Sequence, residues 1–78
     1  MARYTKAQFE SDIDSLNEKM KRAGIDRVYV PGYRYGYAAV DYGSKQQTDE
    51  HYVQGTVCAG GTKREMIAKA REDALNYV

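Results

Sequence analysis

Cysteine occurs once in this 78-residue chain, at Cys58, histidine once, at His51, and proline once, at Pro31. A lone cysteine excludes an internal disulfide and points to a reducing compartment. Charge of one sign is also lacking. With 12 Lys and Arg against 11 Asp and Glu, the net charge of +1 gives no long-range pull toward nucleic acid or anionic membrane. No apolar run approaches the ~18 residues of a membrane span. The opening MARYTKAQFES lacks the apolar core of a secretion signal. The expectation is a cytoplasmic protein with no membrane partner. Residues 1–78 make one domain, small enough that its stability should be modest.

The same scarcities weigh against catalysis. His51 and Cys58 are seven residues apart on one β-prone run, so on a regular strand they point to opposite faces, and no acidic orienter stands near them. They read as an exposed strand-edge residue and a small buried hydrophobe. Glu10, Asp14 and Glu18 recur every fourth residue on a solvated helix face, not in a metal cage, and DIDSLNEK lacks the glycine and terminal glutamate of a calcium loop. AGGTKRE places two glycines and two cations before a helix, but without the phosphate-loop spacing. No enzyme activity, cofactor or metal is expected.

What is present is periodicity. Thr5 followed three residues later by Gln8 fits a capping box, and Phe9, Ile13, Leu16 and Met20 form one helical stripe. Basic Lys19, Lys21 and Arg22 lie in the last turn, and Gly24 with Ile25 fits a helix stop. The first helix is predicted at about residues 6–23, with Asp14 or Glu18 pairing Lys21 or Arg22. Thr62 and Glu65 form a second capping box, ahead of a face of Ile67, Ala70, Ala74 and Val78 flanked by Met66 and Leu75. Glu65, Lys69, Glu72 and Asn76 point the other way.

Between the helices lie β-prone runs. RVYV at 27–30 is short, and Pro31-Gly32 suits the centre of a type II turn. YRYGYAAVDY at 33–42 reads as a long strand, 43–49 as a polar loop, and HYVQGTVC at 51–58 as a third strand ended by Ala59-Gly60-Gly61. Gly55 marks a bulge or a close contact within it. The order is α-β-β-β-α, an α+β fold with a three-stranded antiparallel sheet and both helices packed on one face.

Parity along 33–42 leaves two registers. In one, Gly36, Ala38 and Val40 lie under the helices, while Tyr33, Tyr35 and Tyr37 stand in a row on the open face, with Arg27 flanking them and Arg34 on the opposite face. The other buries the tyrosines. Tyrosine suits both, as packing or as an aromatic contact surface.

The α-β-β-β-α order, with Gly60-Gly61-Thr62-Lys63-Arg64-Glu65 opening an alanine-rich last helix, resembles the double-stranded RNA-binding domain. That resemblance implies phosphate contacts from Thr62, Lys63 and Arg64. The family's further lysine falls at Ile67, its histidine loop has no counterpart in Pro31-Gly32-Tyr33-Arg34, and the first helix is acidic. TKAQFESDIDSLNEKMKRAG, YRYGYAAVDY and GGTKREMIAKAREDAL together resemble small accessory proteins of phages and prophages. This implies a stoichiometric, non-catalytic inhibitor of a host protein or nucleoprotein complex, an anti-CRISPR protein being one kind, acting in the host cytoplasm. On that expectation the partner-binding residues are Tyr33, Tyr35, Tyr37 and Arg27, with Glu10, Asp14 and Glu18 as a second patch. The alternatives are a nucleic-acid-binding module using Arg27, Arg34, Lys63 and Arg64, and a small homodimer that buries the tyrosine row.

Overall fold

The computed structural model describes residues 3–44 and 52–77. Its elements run α1 (Lys6–Arg22), β1 (Val28–Arg34), β2 (Tyr37–Ser44), β3 (Tyr52–Gly61) and α2 (Lys63–Ala74). The antiparallel sheet has the order β1-β2-β3, and both helices pack on one face, giving the expected α+β architecture. His51, Val78 and residues 45–49 of the expected loop lie outside the described residues.

Both helices start where their capping boxes place them. The Thr5 side chain accepts from the Gln8 amide, the Gln8 side chain returns to the Thr5 amide, and Thr62 and Glu65 repeat the exchange on α2. At the end of α1, Ile25 N–H donates to Met20 O and Gly24 N–H to Lys21 O, each at 3.0 Å. With Gly24 at φ +74°, this is a Schellman motif, and the positive φ is why glycine stands there. Phe9, Ile13, Leu16 and Met20 from α1 and Met66, Ile67, Ala70 and Ala74 from α2 are buried against Tyr29, Ala38 and Val40 of the sheet. Leu75, expected to flank that face, is exposed instead.

The turn between the first two strands is not where Pro31-Gly32 suggested. Both residues lie inside β1, and the chain reverses at Tyr35-Gly36, with Arg34 paired to Tyr37. Tyr35 at φ +55° and Gly36 at φ +81° make the two-residue primed turn that matches strand twist. Gly43 and Ser44, expected in the loop, continue β2.

Proline is tolerated in β1 because β1 is an edge strand. Tyr29 turns its backbone N–H and C=O outward, where both bond the Asn17 side chain. Pro31, two residues on, is in the same phase, so the N–H it lacks is one that would face the open edge.

The other edge, β3, is irregular. Pairing with β2 skips Gln54, Val57 and Gly60, giving three register shifts in ten residues. These bulges bend the strand and blunt an edge that carries no charge. Gly55 is a close contact as expected: a Cβ there would lie 2.9 Å from the Tyr42 ring.

Candidate functional site

The turn at Tyr35-Gly36 changes the phase of the chain, so the tyrosines do not form a row on the open face. In β1 the odd residues Tyr29, Pro31 and Tyr33 face the helices, opposite Tyr42, Val40 and Ala38 of β2. Ala38 and Val40 therefore lie under the helices, as one expected register had them. Tyr33 lies there too, meeting Phe9 edge-on at 6.1 Å between ring centres. Tyr35 occupies the hairpin tip, 99% exposed, and Tyr37 opens β2, 57% exposed. The three rings gather at one end of the sheet but face different ways. The expected homodimer that buries a tyrosine row loses its row.

The pairing Ala38–Gly61 brings the start of α2 to this same end. At Gly61 the chain runs close to α2, where a Cβ would lie 2.7 Å from Met66 Cε, and Lys63 and Arg64 follow beside the hairpin. Between them opens a cleft of about 510 Å³ whose lining includes Tyr4, Tyr33, Tyr37, Thr62, Lys63 and Arg64. Lys6 Nζ lies 5.0 Å from the centre of the Tyr33 ring, and the Arg64 guanidinium 5.0 Å from that of Tyr4.

Tyr4 also donates a short hydrogen bond to Asp12 Oδ2. Burial, then that bond, push its hydroxyl up to about 12. Burial, with Glu10 adding to it, raises Tyr33 as well. Tyr4 and Lys6 had not been singled out from the sequence. The signal for Tyr4 was its place just before the Thr5 cap, where an apolar residue staples the helix entry.

Arg27 and Arg34 are engaged elsewhere. Arg27 stands at the far end of β1. Its Nη2 and Nε reach Asp73 Oδ2 at 2.9 and 3.0 Å, and its guanidinium lies 4.1 Å from the Tyr42 ring centre and 4.4 Å from that of Tyr77. Tyr29 OH donates to the same Asp73 oxygen at 2.6 Å. Burial, and next the bond to Asp73, raise Tyr29 to about 12. Burial works against the Arg27 charge, but the bonds to Tyr29 and Asp73 outweigh it, and its pKa rises. Arg27 is thus an internal clamp between β1 and the end of α2, not a flank of the tyrosines.

Arg34 lies on the open face, opposite in sense to Tyr33, and its Nη2 reaches both Asp41 oxygens at 2.8 and 2.9 Å. Thr56 Oγ1 adds a bond to Asp41 at 3.0 Å, so this nearly buried carboxylate is satisfied. Of Arg27, Arg34, Lys63 and Arg64, only the last two come together at a surface cleft.

Asp14 and Glu18 are exposed on the outer side of α1, where Glu18 pairs with Arg22 at 3.5 Å, and Glu10 is half-buried. Cys58 is half-buried on the helix side, its thiol raised chiefly by desolvation and directed to Met66 O. Among the described residues no group of three or more His, Cys, Asp or Glu could hold a metal ion, and no helix is long and apolar enough to cross a membrane. Comparison with protein-family models, curated proteins and solved structures finds no match for this chain.

Proposed function

We propose that this chain is a non-catalytic binding protein of the phage-accessory type, which engages and blocks a host macromolecular complex through its hairpin end. A CRISPR effector is one such target. The observation that carries the reading is Tyr35, held at φ +55° and 99% exposed. A non-glycine residue in that region costs about 1–2 kcal/mol. Asparagine would make the same turn more easily. The ring gains almost nothing inside the molecule, so an aromatic there is unfavourable to the fold and suited to an intermolecular anchor. Tyr37 and the cationic wall of Lys63 and Arg64 extend the surface beside it.

The test is capture of the partner from a bacterial host lysate by tagged protein, with and without nuclease. Wild-type protein is expected to retain a stoichiometric complex that Tyr35→Asn loses while remaining folded. Equal capture by both proteins would overturn the reading.

A further inference from the structure

We propose that the cleft beside the hairpin tip seats single-stranded nucleic acid. This rests on the reading above of the hairpin end as the contact surface, and names the chemistry that the cleft takes.

The lining divides into two kinds of group. Lys63 and Arg64 supply charge from the first turn of α2, and Lys6 adds a cation above Tyr33. Among the described residues that line the cleft, none is acidic. Three carboxylates border it: Asp12 accepts from Tyr4 OH and lies 3.7 Å from Arg71, Glu65 is turned back to accept from Thr62 N–H and Oγ1, and Glu10 borders Tyr33 from the α1 side. The lining also carries rings on different sides of the chain, Tyr33 40% and Tyr37 57% exposed, while Tyr35 projects at the tip outside it.

Cations alone would fit any anion. Exposed rings beside them select a ligand that alternates flat apolar rings with negative charge, which is a nucleic-acid strand with unpaired bases. A duplex hides its base faces, and an acidic peptide uses the cations but leaves the rings exposed. A volume of about 510 Å³ accommodates a base with its sugar and phosphate. With a net charge of only +1, attraction is local, so few phosphates are neutralised and the salt dependence is shallow.

Fluorescence anisotropy of a labelled oligothymidylate of about a dozen nucleotides, titrated with the full chain, tests this. Two neutralised phosphates predict about sevenfold weaker binding on going from 50 to 200 mM salt. Tyr37→Ala is expected to weaken binding by about fivefold or more, as loss of one stacked base does. Lys63→Gln with Arg64→Gln should flatten the salt slope, and Lys6→Gln should reduce it in an independently folded variant. Absence of binding at 50 mM salt, equal affinity for a duplex of the same length, or affinity unchanged in all three variants would overturn the proposal. Loss of strand binding with Tyr35-dependent capture intact removes this inference alone. Capture independent of Tyr35 removes the earlier reading.

Discussion

Asn17 and Tyr29 exchange two hydrogen bonds as a strand pair would. Asn17 Nδ2 donates to Tyr29 O at 2.8 Å, and Tyr29 N–H donates to Asn17 Oδ1 at 2.7 Å. One carboxamide from α1 thereby satisfies both outward backbone groups of an edge strand and ties helix to sheet. Asn17→Ala would leave both groups without a protein partner in a half-buried setting. The expected loss is about 1–3 kcal/mol. Urea unfolding measures it, and faster exchange of the Tyr29 amide localises it. An unchanged Tyr29 exchange rate would show that Asn17 does not guard this edge.

Gly55 and Tyr42 are matched in the same sense. A Cβ at position 55 would sit 2.9 Å from Tyr42 Cε1 and hydroxyl, and the Tyr42 ring covers the Arg27 guanidinium at 4.1 Å. Gly55→Ala should therefore cost about 1–3 kcal/mol by overpacking. In a Tyr42→Leu background the clash is relieved, and the same substitution should cost clearly less. Thermal unfolding of the four proteins gives the coupling, and additive effects would remove the proposed contact.

Much of the fold was legible because its signals are local. Each capping box spans four residues, and the Phe9–Met20 stripe declares α1 without reference to the rest of the chain. The first turn was misplaced for an equally local reason. Pro31-Gly32 carries the composition of a turn, whereas Tyr35-Gly36 hides one behind a β-prone aromatic, and only the edge position of β1 makes Pro31 harmless. Arg27 was misread because its partners Asp73 and Tyr77 stand 46 and 50 residues away in sequence. No periodicity reports such a meeting. Lys63 and Arg64 could be picked out as a basic helix start, but their convergence with Tyr33 and Tyr37 needed the Ala38–Gly61 pairing.

Tyr29 predicts a defined response to alkali. Its hydroxyl is raised from 10.0 to about 12 by burial and by donation to Asp73. A raised folded-state pKa contributes stability that is complete below the unfolded value and is lost as pH climbs through the folded one. Stability should thus hold up to about pH 10 and fall between there and about pH 12, each such group adding about 1.4 kcal/mol per pH unit. Tyr4 shifts the same way but is more open to solvent, which screens its contribution, so it adds less to the slope. Tyr29→Phe should flatten the decline by about one proton's worth in urea melts across that window. A slope identical to wild type would show that Tyr29 is not held protonated by the fold.

Tyr35 separates stability from binding. Asparagine accepts the positive φ at the tip more readily than tyrosine, and the tyrosine ring at 99% exposure contributes almost no packing to be lost. Tyr35→Asn is therefore expected to stabilise the fold by about 1 kcal/mol, a rise in Tm of about 4–8 °C for a domain of this size. The same variant is expected to lose partner capture. A substitution that improves the fold and abolishes binding cannot act through misfolding, which makes the pair of measurements decisive. If Tyr35→Asn instead lowers Tm, the tip is held by contacts of the ring within the molecule. Its exposure would then not be that of an intermolecular anchor.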